Sequence, residues 1–257
     1  MSALKNALKG LQKRTARKLL GRVHFITSRL PQELRKVEKA RVLVVAPHMD
    51  DEAIGCGGTL LLHGQAGSEL LGVFVSDCAG TVDDEKTKQY ERDIRLAESK
   101  AAFEFFGMKH LGTLNHPDGN LCLNIPGIAS DLAKLLTEHQ PDIVFCPFPT
   151  DMHRDHQAVA QGLAGAIRDS SWKGDVWGYE VWSTLWPNAG VDISEVIDQK
   201  AESIDLYPSQ MKHMPYVEAA TGLNRYRGLK LGVPAAETFY VCSETEFGEL
   251  ADTLIGK

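Results

Sequence analysis

The stretch Arg41-Val-Leu-Val-Val-Ala-Pro-His-Met-Asp-Asp-Glu-Ala-Ile-Gly-Cys-Gly-Gly58 decides the architecture. Its first part is short, apolar and rich in β-branched residues, the pattern of a buried strand. It runs directly into His48, Asp50 and Asp51, then into a glycine cluster and a helix-like segment. That order puts a histidine and two carboxylates at the C-terminal end of a parallel strand, where open α/β sheets bind ligands. Imidazole nitrogen and carboxylate oxygen are both zinc ligands. Such residues also cap helices and close turns, so this cluster alone does not define a site. A second cluster, Pro149-Thr-Asp-Met-His-Arg-Asp-His156, follows another apolar run, Asp142-Ile-Val-Phe-Cys146. Two such clusters leaving the ends of separate parallel strands can converge on one point.

From Arg41 onward the pattern alternates. Strand-like segments cover Arg41–Ala46, Leu70–Ser76, His110–Leu114, Asp142–Phe148 and Asp175–Val181, with Glu237–Cys242 as a last strand. Helix-like segments cover 57–66, 85–106, 125–139 and 156–168, and 194–232 reads as helical. Pro126 at a helix start and Gly107 after a helix end fit the usual asymmetry. Alternating β and α implies a doubly wound, mostly parallel sheet with right-handed crossovers. A chain of 257 residues suits one such domain. The loops at 77–84 and 115–124 are expected to rim the pocket. Trp182, Trp186 and Pro187 could add an aromatic wall, with core packing as the default for both tryptophans.

With both clusters in view, the chain resembles the zinc-dependent N-deacetylases that include the glycosylphosphatidylinositol-precursor deacetylases (PIG-L) and the bacterial LmbE-like proteins. The resemblance rests on Ala46-Pro-His-Met-Asp-Asp-Glu52, continuing through Ile54-Gly-Cys-Gly-Gly-Thr59, and on His153-Arg-Asp-His156. Arg95-x-x-Glu98, Pro117-Asp118-Gly119, Asp198-x-Lys200, Tyr207-Pro-Ser-Gln210 and Ala236-Glu237-Thr-Phe239 support it, over about residues 40 to 242. Met49 stands where the family usually has proline, which alters turn stiffness but removes no ligand. The resemblance implies a Rossmann-like, three-layer α/β domain over 41–257. It implies His48, Asp51 and His156 as zinc ligands, Asp50 as general base and His153 facing the developing oxyanion. It also implies that Asp155 orients a histidine from behind. The implied reaction is hydrolysis of an N-acetyl group on an amino sugar, releasing acetate and an amine.

That chemistry accounts for the residue types. An unactivated amide is a poor electrophile and neutral water a poor nucleophile; zinc addresses both. A carboxylate such as Asp50 takes the water's proton and can return it to the leaving nitrogen. A protonated His153 would stabilise the charge on the former carbonyl oxygen. A mixed His/carboxylate site also accepts Fe2+ and other divalent metals.

Other residues carry blander expectations. Glu52 reads as a helix-start acid favoured by the helix dipole, Cys56 as a packing residue and His116 as a turn histidine. Gly55, Gly57 and Gly58 read as points of close backbone approach and lack the phosphate-loop pattern. Asp118 is assigned to substrate hydroxyls. For Arg95, substrate contact and a salt bridge to a helix neighbour stay equally open.

Composition bounds the function classes. The five cysteines are dispersed, with no Cys-x-x-Cys pair, which argues for a reducing compartment and against redox catalysis. No apolar run reaches 18 residues and no secretory signal is visible, so a cytoplasmic location is expected. The net charge of −6 hides an asymmetry: residues 1–40 carry eleven Lys/Arg against Glu33 and Glu38, and the remainder is strongly acidic. Leu4, Leu8, Leu11, Leu19, Val23 and Ile26 form a helical stripe beside the basic positions. Residues 1–40 are thus expected to be a basic amphipathic arm. It could lie on an anionic membrane, placing the protein at its inner face beside a lipid-linked substrate, or pack on its own domain or a partner copy. The acidic body argues against nucleic acid, and a homo-oligomer stays open. Competing readings are an amidase for another small molecule or thiol conjugate, magnesium phosphoryl chemistry, and a silent membrane-peripheral protein. Magnesium's preference for oxygen ligands sets His48 and His156 against the second.

Overall fold

The computed structural model describes residues 33–80, 84–212 and 214–255. The helical stripe expected over residues 4–26 lies outside them.

The strand that opens the signature, β2 (Arg41–Ala46), shows why a three-layer architecture forms. Val42, Val44 and Ala46 point into one hydrophobic core, and Leu43 and Val45 into a second on the opposite face. Side chains alternate across a strand, so a strand apolar at every position must be covered on both sides.

The preceding strand is β1 (Glu33–Leu34). After β2 come α1 (Asp51–Gln65), β3 (Glu69–Ser76), α2 (Glu85–Phe106), β4 (Lys109–His116), a 3-10 turn (Leu121–Leu123) and α3 (Ile125–His139). They are followed by β5 (Ile143–Pro147), α4 (Arg154–Asp169), β6 (Asp175–Tyr179) and β7 (Ala189–Asp192). The chain continues with α5 (Ile197–Asp205), α6 (Pro208–Met211), α7 (Tyr216–Leu231), β8 (Ala236–Ser243) and α8 (Glu244–Leu254). The strands form one eight-stranded sheet in the order β1-β7-β8-β6-β5-β2-β3-β4. Only β8 runs against its neighbours. One core takes Leu60 of α1, Phe103 and Phe106 of α2 and Ile204 of α5. The other takes Leu132 of α3, Leu163 of α4 and Phe247 of α8.

The topology locates the site. β2 pairs with β3 on one side and β5 on the other, both in parallel. Consecutive strands run outward from β2 through β3 to β4, and the chain then returns to β5 on the opposite side. The strand order therefore reverses between β2 and β5, and a crevice opens beyond their C-terminal ends. Both His/Asp clusters leave the sheet there.

Several boundaries differ from the sequence expectation. Helix α1 begins at Asp51, not near 57, because its glycines serve tertiary packing. A Cβ on Gly55 would stand 2.4 Å from the Tyr179 ring, and one on Gly58 2.9 Å from Ile193. Close packing here outweighs the weak helix propensity of glycine. The helical region 194–232 is three helices, interrupted near Pro208 and Pro215. β7 and α8 add to the expected elements; α8 starts where Ser243 Oγ accepts the Glu246 N–H. At the sheet edge Glu33 and Leu34 pair with Ala189 and Gly190, so the sheet draws on residues upstream of Arg41. Among the described residues no helix is long and apolar enough to cross a membrane.

Candidate metal and catalytic site

Asp51 is the meeting point of the two clusters. Its Oδ2 lies 3.2 Å from His48 Nδ1 and 3.2 Å from His156 Nε2. Ligand atoms on one tetrahedral zinc, bonded at about 2.0–2.1 Å, stand roughly 3.3 Å from each other. The outer nitrogens face further carboxylates: His48 Nε2 is 3.1 Å from Asp155 Oδ2, and His156 Nδ1 is 3.5 Å from Asp151 Oδ2. A carboxylate behind each imidazole is the arrangement that orients metal-binding histidines. His156 is fully buried, yet neither ring nitrogen makes a well-aligned hydrogen bond. A buried imidazole left unsatisfied is costly, and a cation between His48, Asp51 and His156 would relieve that cost. The donor set thus fits a divalent metal. His153 is also close enough to join His48 and His156 in a three-histidine set.

The electrostatics agree with the geometry. Burial works to lower the His156 pKa, but the Asp51 and Asp151 carboxylates outweigh it and push it up to about 9. Burial likewise opposes charge on His48, and Asp118, Asp155 and Asp51 together raise it well above the ordinary histidine value. Asp51 resists its own burial through His156 and His48 and stays far below the usual carboxylate range. These carboxylates favour positive charge at the point where the ring nitrogens converge, and a bound metal competes there with protons.

Asp50 occupies a different environment. Its backbone sits at φ 138°, a region that costs a non-glycine residue free energy and occurs where surrounding structure enforces it. Burial, then the charges of Asp51 and Glu52, raise its carboxyl pKa well above the usual range. Glu52 is more than a helix-start acid: it is fully buried, accepts a short hydrogen bond from the Tyr207 hydroxyl, and faces the Asp50 N–H at 3.3 Å. Burial raises Glu52 to about 7, with the Tyr207 hydrogen bond opposing the shift.

His153 caps α4, its Nδ1 accepting the Asp155 N–H at 3.2 Å. The hydrogen bond assigns the proton of the neutral ring to Nε2. Burial, then the neighbouring His156 and His48, lower its pKa. With Nδ1 engaged in that hydrogen bond, Nε2 is the ring nitrogen left to donate toward the cavity that His153 lines. Asp155 faces His48, and its two oxygens also accept the Gly119 and Leu121 N–H groups at 2.8 and 3.1 Å.

These groups border a cavity of about 220 Å³. Gly80 and Asp118 reach it from the two rim loops expected from sequence. Asp118 is already committed: one oxygen is 3.3 Å from His48 Nε2, and the other accepts the Gly80 N–H at 2.9 Å and lies 3.6 Å from Arg95. Burial would raise its pKa, but His48, Gly80 and Arg95 lower it to about 2. Arg95 thus pairs across the pocket, not along its helix. His116 lies away from this cavity, buried beside Asp131 and Asn124. Cys56 packs in the core. Trp182 and Trp186 are 42% and 54% exposed, which replaces the expectation of core packing.

Three groups escaped the sequence reading. Asp151 accepts the His153 and Trp182 N–H groups at 2.9 and 3.0 Å, joining two loops behind His156. Tyr216 and Gln210 enter the cavity wall from the helical region. Only the position of Asp151 within the second cluster could have flagged it.

The fold and this site define a class. The signature of the PIG-L family, GlcNAc-PI de-N-acetylase, matches residues 43–167, and the chain belongs to that family. It is 28% identical over 187 residues to diacetylchitobiose deacetylase from Thermococcus kodakarensis, covering 66% of this chain and 70% of that one. A conserved protein from Thermus thermophilus has the same fold at 31% identity and TM-score 0.67, over 78% of this chain and 94% of the other. N,N'-diacetylchitobiose deacetylase from Pyrococcus horikoshii superposes with TM-score 0.70 at 25% identity, over 81% and 86% of the two chains.

Proposed function

We propose that this chain is a metal-dependent amide hydrolase that removes the N-acetyl group of an amino sugar or its conjugate. The observation that carries the reading is the convergence of His48 Nδ1 and His156 Nε2 on Asp51 Oδ2 beside the raised carboxyl of Asp50. Similarity to sugar-deacetylating relatives supports it and directs the choice of substrate.

In this reading His48, Asp51 and His156 hold zinc, or Fe2+ where that metal prevails. The metal, when bound, supplies Lewis acidity and a more acidic water. Asp50 takes the proton of the attacking water, its raised pKa bringing it closer to the working pH. It returns that proton to the leaving nitrogen, which cannot depart as an amide anion. His153 donates its Nε2–H to the carbonyl oxygen as charge builds there, its Nδ1 being held by the Asp155 N–H. Asp155 and Asp151 position His48 and His156. Asp118 steadies His48 and, with Arg95, presents a polar rim to sugar hydroxyls. A silent binding protein has no chemical need for a strained, buried Asp50.

Acetate release from N-acetylated amino sugars and their lipid and thiol conjugates tests this. Metal-loaded wild type is expected to release acetate, Asp50→Asn to lose roughly 10²–10⁴ in rate, and His153→Ala roughly 10²–10³. Equal activity in Asp50→Asn would remove the base assignment. Liposome flotation of the full chain beside a variant lacking residues 1–32 tests whether the basic segment brings a lipid-linked substrate within reach; equal flotation removes that idea.

A further inference from the structure

The catalytic cavity has two unlike sides. Gly80, Arg95 and Asp118 form a polar part of its lining, and Ile54, Val181, Trp182 and Tyr216 an apolar and aromatic part. The same four residues also line a second cavity of about 240 Å³. Beyond them Met214, Ala220 and Leu223 of α7 and the segment before it give apolar wall, while Glu180, held by Arg227 and Thr238, is its charged member. An apolar cavity of about 150 Å³ already accommodates a benzene ring, so this one has room for a chain of several carbons. Asn224, 5% exposed, lines it. Its Nδ2 donates to the Ala236 carbonyl at 3.3 Å, and its Oδ1 is buried without a hydrogen-bond partner. That acceptor is one for a water at the cavity wall, since an alkyl chain carries no donor.

A planar trans amide sends its acyl carbon and its nitrogen substituent to opposite sides of the C–N bond. With the hydroxyl-bearing sugar on the Arg95–Asp118 side, the acyl group faces Ile54, Val181, Trp182 and Tyr216. The Trp182 and Tyr216 rings meet edge to face at 6.0 Å, and Trp182 also lies 6.2 Å from the His153 ring, so this wall adjoins the catalytic groups.

We propose that the second cavity is an acyl subsite and that this chain hydrolyses N-acyl amino sugars whose acyl chain is longer than acetyl. The inference rests on the amide-hydrolase reading. Water's oxygen bonds to the carbonyl carbon, the C–N bond breaks, and a proton passes to nitrogen, giving a longer-chain carboxylate and the free amine.

The test is kcat/KM for wild type on N-acetyl-, N-butanoyl-, N-hexanoyl- and N-octanoylglucosamine. Each methylene buried in the cavity is expected to raise it about threefold to fourfold until the cavity is full. Ala220→Phe narrows the cavity and is expected to lower the octanoyl-to-acetyl ratio at least tenfold. Leu223→Trp serves the same purpose from another wall, should Ala220→Phe fail to fold. Acetyl hydrolysis with a steady decline for every longer chain would overturn the subsite and leave the hydrolase reading standing. An unchanged chain-length profile in both folded variants would also overturn it. No hydrolysis of any member would overturn the hydrolase reading itself, and the subsite with it.

Discussion

Helix α1 connects two buried charged regions with opposite logic. Near its start, His48, Asp51 and His156 converge, with both His156 ring nitrogens lacking a well-aligned hydrogen bond. Along its middle, Lys200 Nζ is 2.6 Å from Glu237 Oε1 and donates to the Ile54 carbonyl at 2.8 Å. The two Glu237 oxygens accept the Gly58 and Thr59 N–H groups at 2.9 and 2.7 Å. Both Lys200 and Glu237 are buried, and together they tie α5 and β8 to the helix that carries Asp51. In the second region the opposite charges of Lys200 and Glu237 meet each other and backbone groups, and the region is structural. The first is the one that the proposed metal would complete. Buried charges that meet each other make a clamp; imidazoles and carboxylates that converge on one point make a candidate site.

The sharpest way to break this comparison is to change Asp50, which borders the first region without belonging to the converging donor set. Asp50→Asn is expected to reduce kcat by roughly 10²–10⁴ with little change in thermal midpoint. A large loss of stability instead would make Asp50 structural. The converse holds for Lys200→Met, which leaves Glu237 buried and unpaired. About 3–5 kcal/mol of unfolding free energy is expected to disappear in denaturant titration, and the folded fraction should retain its metal.

His63 supplies a control within the same helix. It is buried, like His156, and its Nε2 also lacks a partner, but no carboxylate stands behind it. Burial lowers its pKa to about 4, whereas carboxylates hold His156 at about 9. The unfolded state therefore binds the His63 proton first as pH falls. Stability from the neutral ring is full above about 6.5 and is lost as pH drops toward 4. His63→Leu is expected to remove about 2 kcal/mol of the stability difference between about pH 7 and about pH 5. An unchanged acid limb in chemical denaturation would contradict the assignment. The smallest expected effect belongs to Asp151→Asn, which weakens the orientation of His156. Metal affinity should fall roughly 10- to 100-fold in competition with a chelator while the fold persists.

Much of the fold was legible because its signals are local. The apolar alternation of β2 and the caps of α2 each lie within one short segment, and β2, α2 and α3 match their expected bounds. The two clusters were legible because each leaves a strand end. What escaped depends on distant partners. Glu52 looks like an ordinary first-turn acid until Tyr207 meets it from 155 positions away. Tyr216 joins the cavity wall only when α7 brings it against Trp182, which the sequence had offered as an aromatic wall. β7 is four residues long, and its pairing with β8 across the chain defines it.

Metal content measured on wild type, Asp50→Asn and His156→Ala, beside acetate release from the same samples, tests the central claim most directly. The account predicts about one divalent ion per chain in wild type and in Asp50→Asn, and loss of the ion in His156→Ala. Only wild type should release acetate at full rate. Full metal and full activity in His156→Ala would contradict the account.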